Sequence, residues 1–374
     1  MAKKTKPFTN TKKIPILVSE YTSTLDHVRG KGTGIQLMEL DLSTGELFHL
    51  RQLAKLENPS YMSLSHNNSH LYAISEVCEF RGKRDGKITS YQLSNPNSNM
   101  ELIEMQQCSS HGAGPAYCRP SLDDSTLLNV NYVHENLTTH PILADGTINT
   151  PSSNIQLEGN GPIRQRQEQA HPHAINQNPH DQLVYLCDLG SDSLIRYQLD
   201  TSSQVDFFDK LKLPAGSGPR HIVYHPQLNY SYISLELSSQ LATIHHSASP
   251  NDTKVCDLSA ASSANNDVNF PSELTLTIDG KFLYLANRGA NTISLFSLDN
   301  PAKPELVESI DCGGTTPRHI ALSPNEEFLI VANQDSDALV SFQRDKTSGR
   351  LIHAHTVDQP TPCFILFPTE SPAS

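Results

Sequence analysis

The sequence predicts an all-β fold: a seven-bladed β-propeller with four-stranded antiparallel blades, whose ring is closed by an N-terminal strand. Two observations predict it. A proline that opens a short apolar strand recurs every 45 to 57 residues, and a second apolar strand of common pattern follows the first six of these prolines at a constant distance. A repeat of this length built only from short strands is typical of propeller blades. The seven prolines are Pro59, Pro115, Pro172, Pro219, Pro271, Pro317 and Pro362.

Each repeat unit predicts the same series of strands. In the unit of Pro317, residues 318–322 form the first strand, 328–334 the second and 339–342 the third, and residues 306–310 before the proline form the fourth strand of the preceding unit. Alternating polarity and enrichment in β-branched and aromatic residues favour strands over helices.

The unit of Pro362 is incomplete, because only residues 363–366 and a short tail follow it. Residues 15–21 resemble a second strand and residues 35–40 a third, so we expect the N-terminus to complete the last blade and leave no unpaired edge. The prediction is one domain over residues 14–367, preceded by a disordered tail at residues 1–13.

Two polar segments depart from the repeat. Residues 151–170 and 247–269 match no strand of the pattern. We interpret both as long surface loops or insertions, not as separate domains.

Composition excludes several classes of protein. The net charge of −12 disfavours nonspecific nucleic-acid binding, which needs a basic face, and no apolar run is long enough to span a membrane. The seven cysteines show no CxxC spacing, which favours reduced thiols in a cytoplasmic protein. We expect a monomer or weak homo-oligomer without a cofactor or metal.

Rotation of the blades about one axis brings equivalent residues into rings around the central channel. The residues directly after the prolines form one ring, and those seventeen positions after the prolines, with Tyr21 from the closing strand, form another. The first ring is Ser60, Ala116, His173, Arg220, Ser272, Arg318 and Cys363. The second ring is Glu76, Tyr132, Leu189, Glu236, Arg288, Gln334 and Tyr21.

Charged residues are concentrated in these rings, which indicates a binding or catalytic site. Arginine suits bidentate binding of carboxylate or phosphate, and histidine and glutamate are the usual acid–base groups. We predict that His173, Arg220, Glu236 and Arg288 form the catalytic group. The alternative for each of them is an ion pair between blades that only stabilises the fold.

Four further residues are predicted to bind substrate: His171, Arg318, Glu76 and Gln334. His171 and His173 could also place two imidazoles near a metal ion, but no third ligand is apparent, so no metal site is predicted. Which of these two histidines acts remains open. Cys363 lies on the first ring without an assigned base, so we do not expect it to be a nucleophile.

The chain resembles the lactonase family of seven-bladed β-propellers from about residue 14 to residue 367. That family includes propeller-type 6-phosphogluconolactonases and fungal 3-carboxy-cis,cis-muconate lactonizing enzymes. The resemblance implies a site of one histidine, one glutamate and two arginines, which fall on His173 (or His171), Glu236, Arg220 and Arg288. The matching motifs lie at residues 57–61, 171–173, 216–221, 271–273, 286–289, 316–319 and 331–337.

The ring predicts a site that binds an anion beside acid–base groups. The resemblance implies that the enzyme hydrolyses a small anionic lactone, 6-phosphogluconolactone or a related sugar lactone of carbohydrate metabolism. Cycloisomerisation of a carboxylated muconate is the second enzymatic interpretation. A non-catalytic propeller that binds an anion or a protein is the third, because propellers host many functions.

Overall fold

The structure, a computed structural model, describes residues 13–94, 99–247, 252–263 and 268–368. The predicted tail at residues 1–13 lies outside this range except for Lys13, which begins the first strand. In chain order the strands are β1 (Lys13–Glu20), β2 (Thr24–Leu25), β3 (Val28–Arg29), β4 (Ile35–Asp41), β5 (Leu47–Ala54), β6 (Met62–Leu64), β7 (His70–Ser75), β8 (Lys87–Ser94), β9 (Glu101–Ser109), β10 (Pro115–Pro120), β11 (Thr126–Asn131), β12 (Asn136–Pro141), β13 (Ser153–Gln156), β14 (Pro172–Gln177), β15 (Val184–Asp188), β16 (Ser193–Leu199), β17 (Val205–Lys212), β18 (Pro219–Tyr224), β19 (Tyr230–Leu235), β20 (Gln240–His245), β21 (Lys254–Ala260), β22 (Phe270–Leu276), β23 (Phe282–Arg288), β24 (Thr292–Ser297), β25 (Glu305–Asp311), β26 (Pro317–Leu322), β27 (Phe328–Asn333), β28 (Ala338–Arg344), β29 (Leu351–Asp358) and β30 (Pro362–Leu366).

These strands form seven four-stranded antiparallel sheets, which confirms the predicted propeller. Blades 1 to 6 follow the chain in consecutive sets of four strands, from β6–β9 to β26–β29, and the inner strand of each comes first. A separate two-stranded hairpin, β2–β3, lies between the second and third strands of the last blade.

Blade 7 joins the two ends of the chain, as predicted. Its order is β30, β1, β4 and β5, so one C-terminal strand is completed by three N-terminal strands. Leu17 of β1 is opposite both Leu366 of β30 and Leu37 of β4. Main-chain hydrogen bonds between β30 and β1 therefore close the ring. Neither end of the repeat is left as an incomplete blade with an unpaired strand.

Tyrosines on the second strands connect neighbouring blades. Tyr72 donates a hydrogen bond to the carbonyl oxygen of Gly146 at 3.1 Å, and Tyr232 donates to that of Pro301 at 2.9 Å. Both side chains are fully buried, so each hydroxyl needs such a partner. The repeated tyrosines therefore add a polar contact between blades to the apolar packing of the core.

A β-bulge follows the proline in six of the seven inner strands. In β26, for example, Pro317 is opposite Asn333 but His319 is opposite Ala332, so Arg318 is the extra residue. A bulge breaks the alternation of side chains along a strand. Two consecutive residues of one inner strand can thus face the same cavity.

The prediction of long loops was wrong for part of both off-pattern segments. Residues 153–156 form β13 and residues 254–260 form β21, the outer strands of blades 2 and 4. Their side chains alternate between exposed and partly buried, because the outer strand of a blade packs on one neighbour only. Such strands lack the short apolar run from which the other strands are predicted. Within the described residues, no helix has the length and apolar character needed to cross a membrane.

Closure of blade 7 gives a direct stability prediction. Leu17 is fully buried in β1, whereas Leu50 in β5 of the same blade is 38% exposed. Leu17→Ala should lower the free energy of unfolding by about 2–5 kcal/mol through lost burial and the cavity that remains. Leu50→Ala is the matched control and should change it by less than about 1 kcal/mol. Chemical denaturation of both variants measures the difference, and equal effects would contradict the closure.

Candidate active site

A cavity of about 670 Å³ occupies the end of the central channel at which the inner strands begin. Seven of the eight predicted site residues line it: His171, His173, Arg220, Glu236, Arg288, Arg318 and Glu76. Gln334 does not. It borders an adjacent pocket beneath the β2–β3 hairpin, where its amide donates a hydrogen bond to Asp335.

Glu236 is the centre of the charged group on blades 3 to 5. It follows β19, is 2% exposed, and its two carboxylate oxygens face three arginines. Arg166 Nη2 donates to Oε1 and Arg288 Nη2 donates to Oε2, both at 2.5 Å. Arg220 Nε lies 3.2 Å from Oε2. Burial alone would raise the pKa of this carboxyl, but the three cations outweigh it and hold the pKa well below its usual value of 4.5.

Arg220 has hydrogen-bond donors that are not used. Its side chain is almost fully buried, and neither Nε nor Nη1 makes a hydrogen bond, since the contact with Glu236 is close but poorly aligned. Burial and the nearby Arg288 lower the pKa of Arg220 to about 9, so the guanidinium remains charged at neutral pH. A buried cation with unfilled donors is a ready site for a negatively charged oxygen.

His173 lies beside Arg220 on the first ring. Its buried Nδ1 has no hydrogen-bond partner, and its ring packs edge-on against that of His221 with the centroids 5.1 Å apart. Burial and the charge of Arg220 hold the pKa of His173 well below 6.5. The imidazole is therefore neutral at physiological pH and has a lone pair available.

His171 is held differently. Its ring stacks on Tyr132 with the centroids 4.3 Å apart, and Nδ1 lies 3.1 Å from the Tyr132 carbonyl oxygen. Nε2 lies 3.2 Å from Glu168 Oε1. Both nitrogens of His171 thus have partners, in contrast to Nδ1 of His173. Among the described residues, no group of three or more His, Cys, Asp or Glu side chains is arranged to hold a metal ion.

A second charged group lines the opposite wall. Arg318 lies over the ring of Tyr21, with its central carbon 5.0 Å from the ring centroid. The Tyr21 hydroxyl donates to Glu76 Oε2 at 2.7 Å, and Arg318 Nη2 is 4.0 Å from the same oxygen. His27, on the β2–β3 hairpin, lies 3.5 Å from Glu76 Oε1.

The floor of the cavity consists of residues two positions after the prolines. His221 Nδ1 is 2.8 Å from Glu273 Oε2, and His319 Nε2 is 3.4 Å from the same oxygen. Burial raises the pKa of Glu273 and lowers that of each histidine. Phe364 and Tyr61 complete the floor with their rings 4.4 Å apart. Cys363 also reaches the cavity, where burial raises the pKa of its thiol to about 12, consistent with a residue that is not a nucleophile.

Sequence reasoning missed several residues that line this cavity. Arg166 lies in the segment that was interpreted as a surface loop and has no equivalent in other blades, so no repeat signal could indicate it. His221, Glu273 and His319 do have such a signal, because they occupy one position of three successive blades. Strict alternation along a strand would place them on the opposite face from Arg220 and Arg318. The β-bulge invalidates that expectation.

The charge cluster predicts a pH-dependent stability. Glu236→Gln leaves three partly or fully buried guanidinium groups without their counter-ion, which should lower the free energy of unfolding at pH 7 by about 3–5 kcal/mol. Because the folded-state pKa of Glu236 is depressed, this contribution is complete above about pH 5 and is lost as the pH falls through the folded-state pKa. The free energies of unfolding of wild type and variant, plotted against pH, should therefore converge in acid.

Glu308→Gln serves as the control for this measurement. Glu308 pairs at 3.6 Å with Arg350, which is exposed, and such surface pairs contribute about 0–1 kcal/mol. Denaturant unfolding of wild type and both variants from pH 3 to pH 8 makes the comparison. A difference between wild type and Glu236→Gln that does not change with pH would contradict the ionised, arginine-bound carboxylate.

Comparisons with known proteins agree with this architecture. The family described as "Lactonase, 7-bladed beta-propeller" matches residues 15–367. A Bacillus subtilis protein named 6-phosphogluconolactonase is 31% identical over 347 residues, which cover 91% of this chain and 96% of the relative. A protein of the same name from Formosa agariphila is 30% identical over 327 residues, covering 86% and 91%. The structure of the periplasmic gluconolactonase PpgL of Pseudomonas aeruginosa superimposes with a TM-score of 0.86 at 26% identity, covering 95% of this chain and 99% of that one. The chain belongs to the lactonase family of seven-bladed β-propellers.

Proposed function

We propose that this protein hydrolyses a sugar lactone and that its substrate is 6-phosphogluconolactone. The observation that supports this most is the pair formed by His173 and Arg220. Arg220 is buried and His173 is partly buried in one cavity, and both have nitrogen atoms without hydrogen-bond partners. A lactone carbonyl and an attacking water molecule would supply those partners. The names of the relatives, 6-phosphogluconolactonase and gluconolactonase, indicate the same class of substrate.

The proposed reaction begins with attack of water on the lactone carbonyl carbon. His173 accepts a proton from this water as the new carbon–oxygen bond forms, and the carbonyl oxygen becomes negatively charged. The free donors of Arg220 stabilise that oxygen. The bond to the ring oxygen then breaks and His173 returns the proton to this oxygen. The products are an alcohol and a carboxylic acid, which then loses its own proton to water.

Glu236 suits a positioning role better than that of a base. Its two oxygens already accept hydrogen bonds from Arg166 and Arg288 and also face Arg220, whereas Nδ1 of His173 has no partner. In our proposal it orients Arg220 and Arg288 toward the reacting lactone. Of the two histidines, His173 acts, because both nitrogens of His171 are already engaged.

The cytoplasmic location and the monomeric or weakly oligomeric state remain proposals. Buried Cys118 and Cys187 support the first, because burial raises the pKa of each thiol and both pack in the apolar core. Thiols of this kind are expected in a reducing compartment.

The proposal predicts large losses of activity in two variants. His173→Ala and Arg220→Ala should each lower kcat/KM for 6-phosphogluconolactone by about 10²–10³-fold, because one removes the proton acceptor and the other the oxyanion donors. His66→Ala is the control for the histidine, since His66 lies at a second cavity on the channel. Arg164→Ala is the control for the arginine, since Arg164 is exposed.

Lactone hydrolysis has to be measured above the spontaneous rate and beside an assay with 3-carboxy-cis,cis-muconate. Activity on the lactone that survives in both site variants would refute the assigned roles. Turnover of the muconate alone would favour cycloisomerisation instead.

A further inference from the structure

The first ring contains two separate polar arcs. One arc, on blades 3 and 4, contains His173 and Arg220. The other, on blades 6, 7 and 1, contains Arg318, Cys363 and Ser60. Ala116 and Ser272 lie between the arcs on either side. We call these the reaction arc and the distal arc. The proposed hydrolysis uses only the reaction arc, so the distal arc has no role in it.

Arg318 is the cation of the distal arc, and its hydrogen-bonding capacity is unused. Only 13% of its side chain is exposed, and its closest carboxylate oxygen, Oε2 of Glu76, is 4.0 Å away. That oxygen already accepts the Tyr21 hydroxyl at 2.7 Å. Among the described residues, no group forms a hydrogen bond with the Arg318 guanidinium. Stacking on Tyr21 fixes its plane and leaves its N–H groups at the cavity.

Two further polar residues line the same cavity as this guanidinium. Ser60 lines this cavity and is 8% exposed, and its buried hydroxyl has no hydrogen-bond partner. His27 lies at the rim on the β2–β3 hairpin, with its side chain 42% exposed. A buried hydroxyl without a partner is costly unless a ligand or water completes it.

Arg166 and Arg288 are also partly exposed arginines of the cavity, but both donate to Glu236. Nη2 of Arg166 donates to Glu236 Oε1 at 2.5 Å, so a ligand would have to break an ion pair in order to use this group. A ligand at Arg318 breaks no hydrogen bond. An anion that enters the cavity is therefore expected to bind more favourably at Arg318 than at Arg166.

We propose that Arg318, Ser60 and His27 form the subsite for a phosphate monoester at the end of the substrate remote from the lactone carbonyl. This inference rests on the proposed lactone hydrolysis at the reaction arc. The guanidinium fork matches two phosphate oxygens, and the serine hydroxyl can donate to an oxygen that remains. His27 can donate through Nδ1, because its Nε2 already contacts Tyr21 and Glu76. The distal arc would thereby distinguish a phosphorylated sugar lactone from the same lactone without phosphate.

The experiment compares 6-phosphogluconolactone with gluconolactone, which lacks only the phosphate. The readout is the ratio of kcat/KM for the two substrates in wild type, Arg318→Gln and Arg166→Gln. Arg318→Gln should lower this ratio at least tenfold, because hydrogen bonds to charged groups contribute that much or more. Arg166→Gln should lower both rates by a similar factor and preserve the ratio. Arg164→Gln, the same charge change at an exposed site, should leave the ratio unchanged.

Binding of the products gives a second readout. Calorimetric titration should show that wild type prefers 6-phosphogluconate to gluconate and that Arg318→Gln loses this preference. Arg318→Lys keeps the charge but not the fork, and it tests the subsite if the glutamine variant does not fold. An intermediate ratio of kcat/KM is then expected.

Three results would overturn the inference. Arg318→Gln could lower turnover of both lactones equally, which would place Arg318 in the reaction itself. Arg166→Gln could abolish the preference instead, which would place the phosphate at the rim. Failure of the wild type to hydrolyse either lactone would refute the proposed function, and the inference with it, whereas the first two results refute the subsite alone.

Discussion

The β-bulge that follows six of the seven repeated prolines is the constraint on which the rest of this molecule depends. A regular strand would place only every second residue in the channel. One extra residue at the start of an inner strand allows two neighbours to reach the cavity, as Arg220 and His221 or Arg318 and His319 do. The walls and the floor of the cavity thus come from the same short segments of the inner strands. The closed ring of blades brings these segments together to form the site.

Glu236 shows how the protein concentrates positive charge without losing its fold. One carboxylate lies among three guanidinium groups, so the cluster has an excess of cations even when the carboxylate is ionised. Such an arrangement is costly in a buried site unless hydrogen bonds satisfy it. Arg220 remains only partly satisfied, and an anionic substrate is the partner that would complete it. The unfilled donors of Arg220 therefore lower the stability of the free protein and favour the binding of an anionic substrate.

The sequence predicts the fold and much of the candidate site because both follow from rotation of one unit. His173 and Arg220 share one repeat position, Glu236 and Arg288 share another, and the structure brings all four to one cavity. Arg166 could not be predicted, since it comes from a segment without a repeat.

The outer strands β13 and β21 were not predicted either, because half-exposed strands lack an apolar signature. Gln334 obeys the repeat but lies in the adjacent pocket. The hairpin between the second and third strands of blade 7 has no counterpart in the other sheets of the described residues, so the repeat gives no information about its surroundings.

The most direct test of the account is a crystal structure of the wild-type protein with 6-phosphogluconate. We expect the product to lie across the cavity, with its carboxylate within hydrogen-bond distance of Arg220 and beside His173. Its phosphate should lie against Arg318 and Ser60. Product bound in the second channel cavity beside Arg119, or in the reverse orientation with its phosphate on Arg220, would contradict the central claim that the reaction arc binds the lactone group.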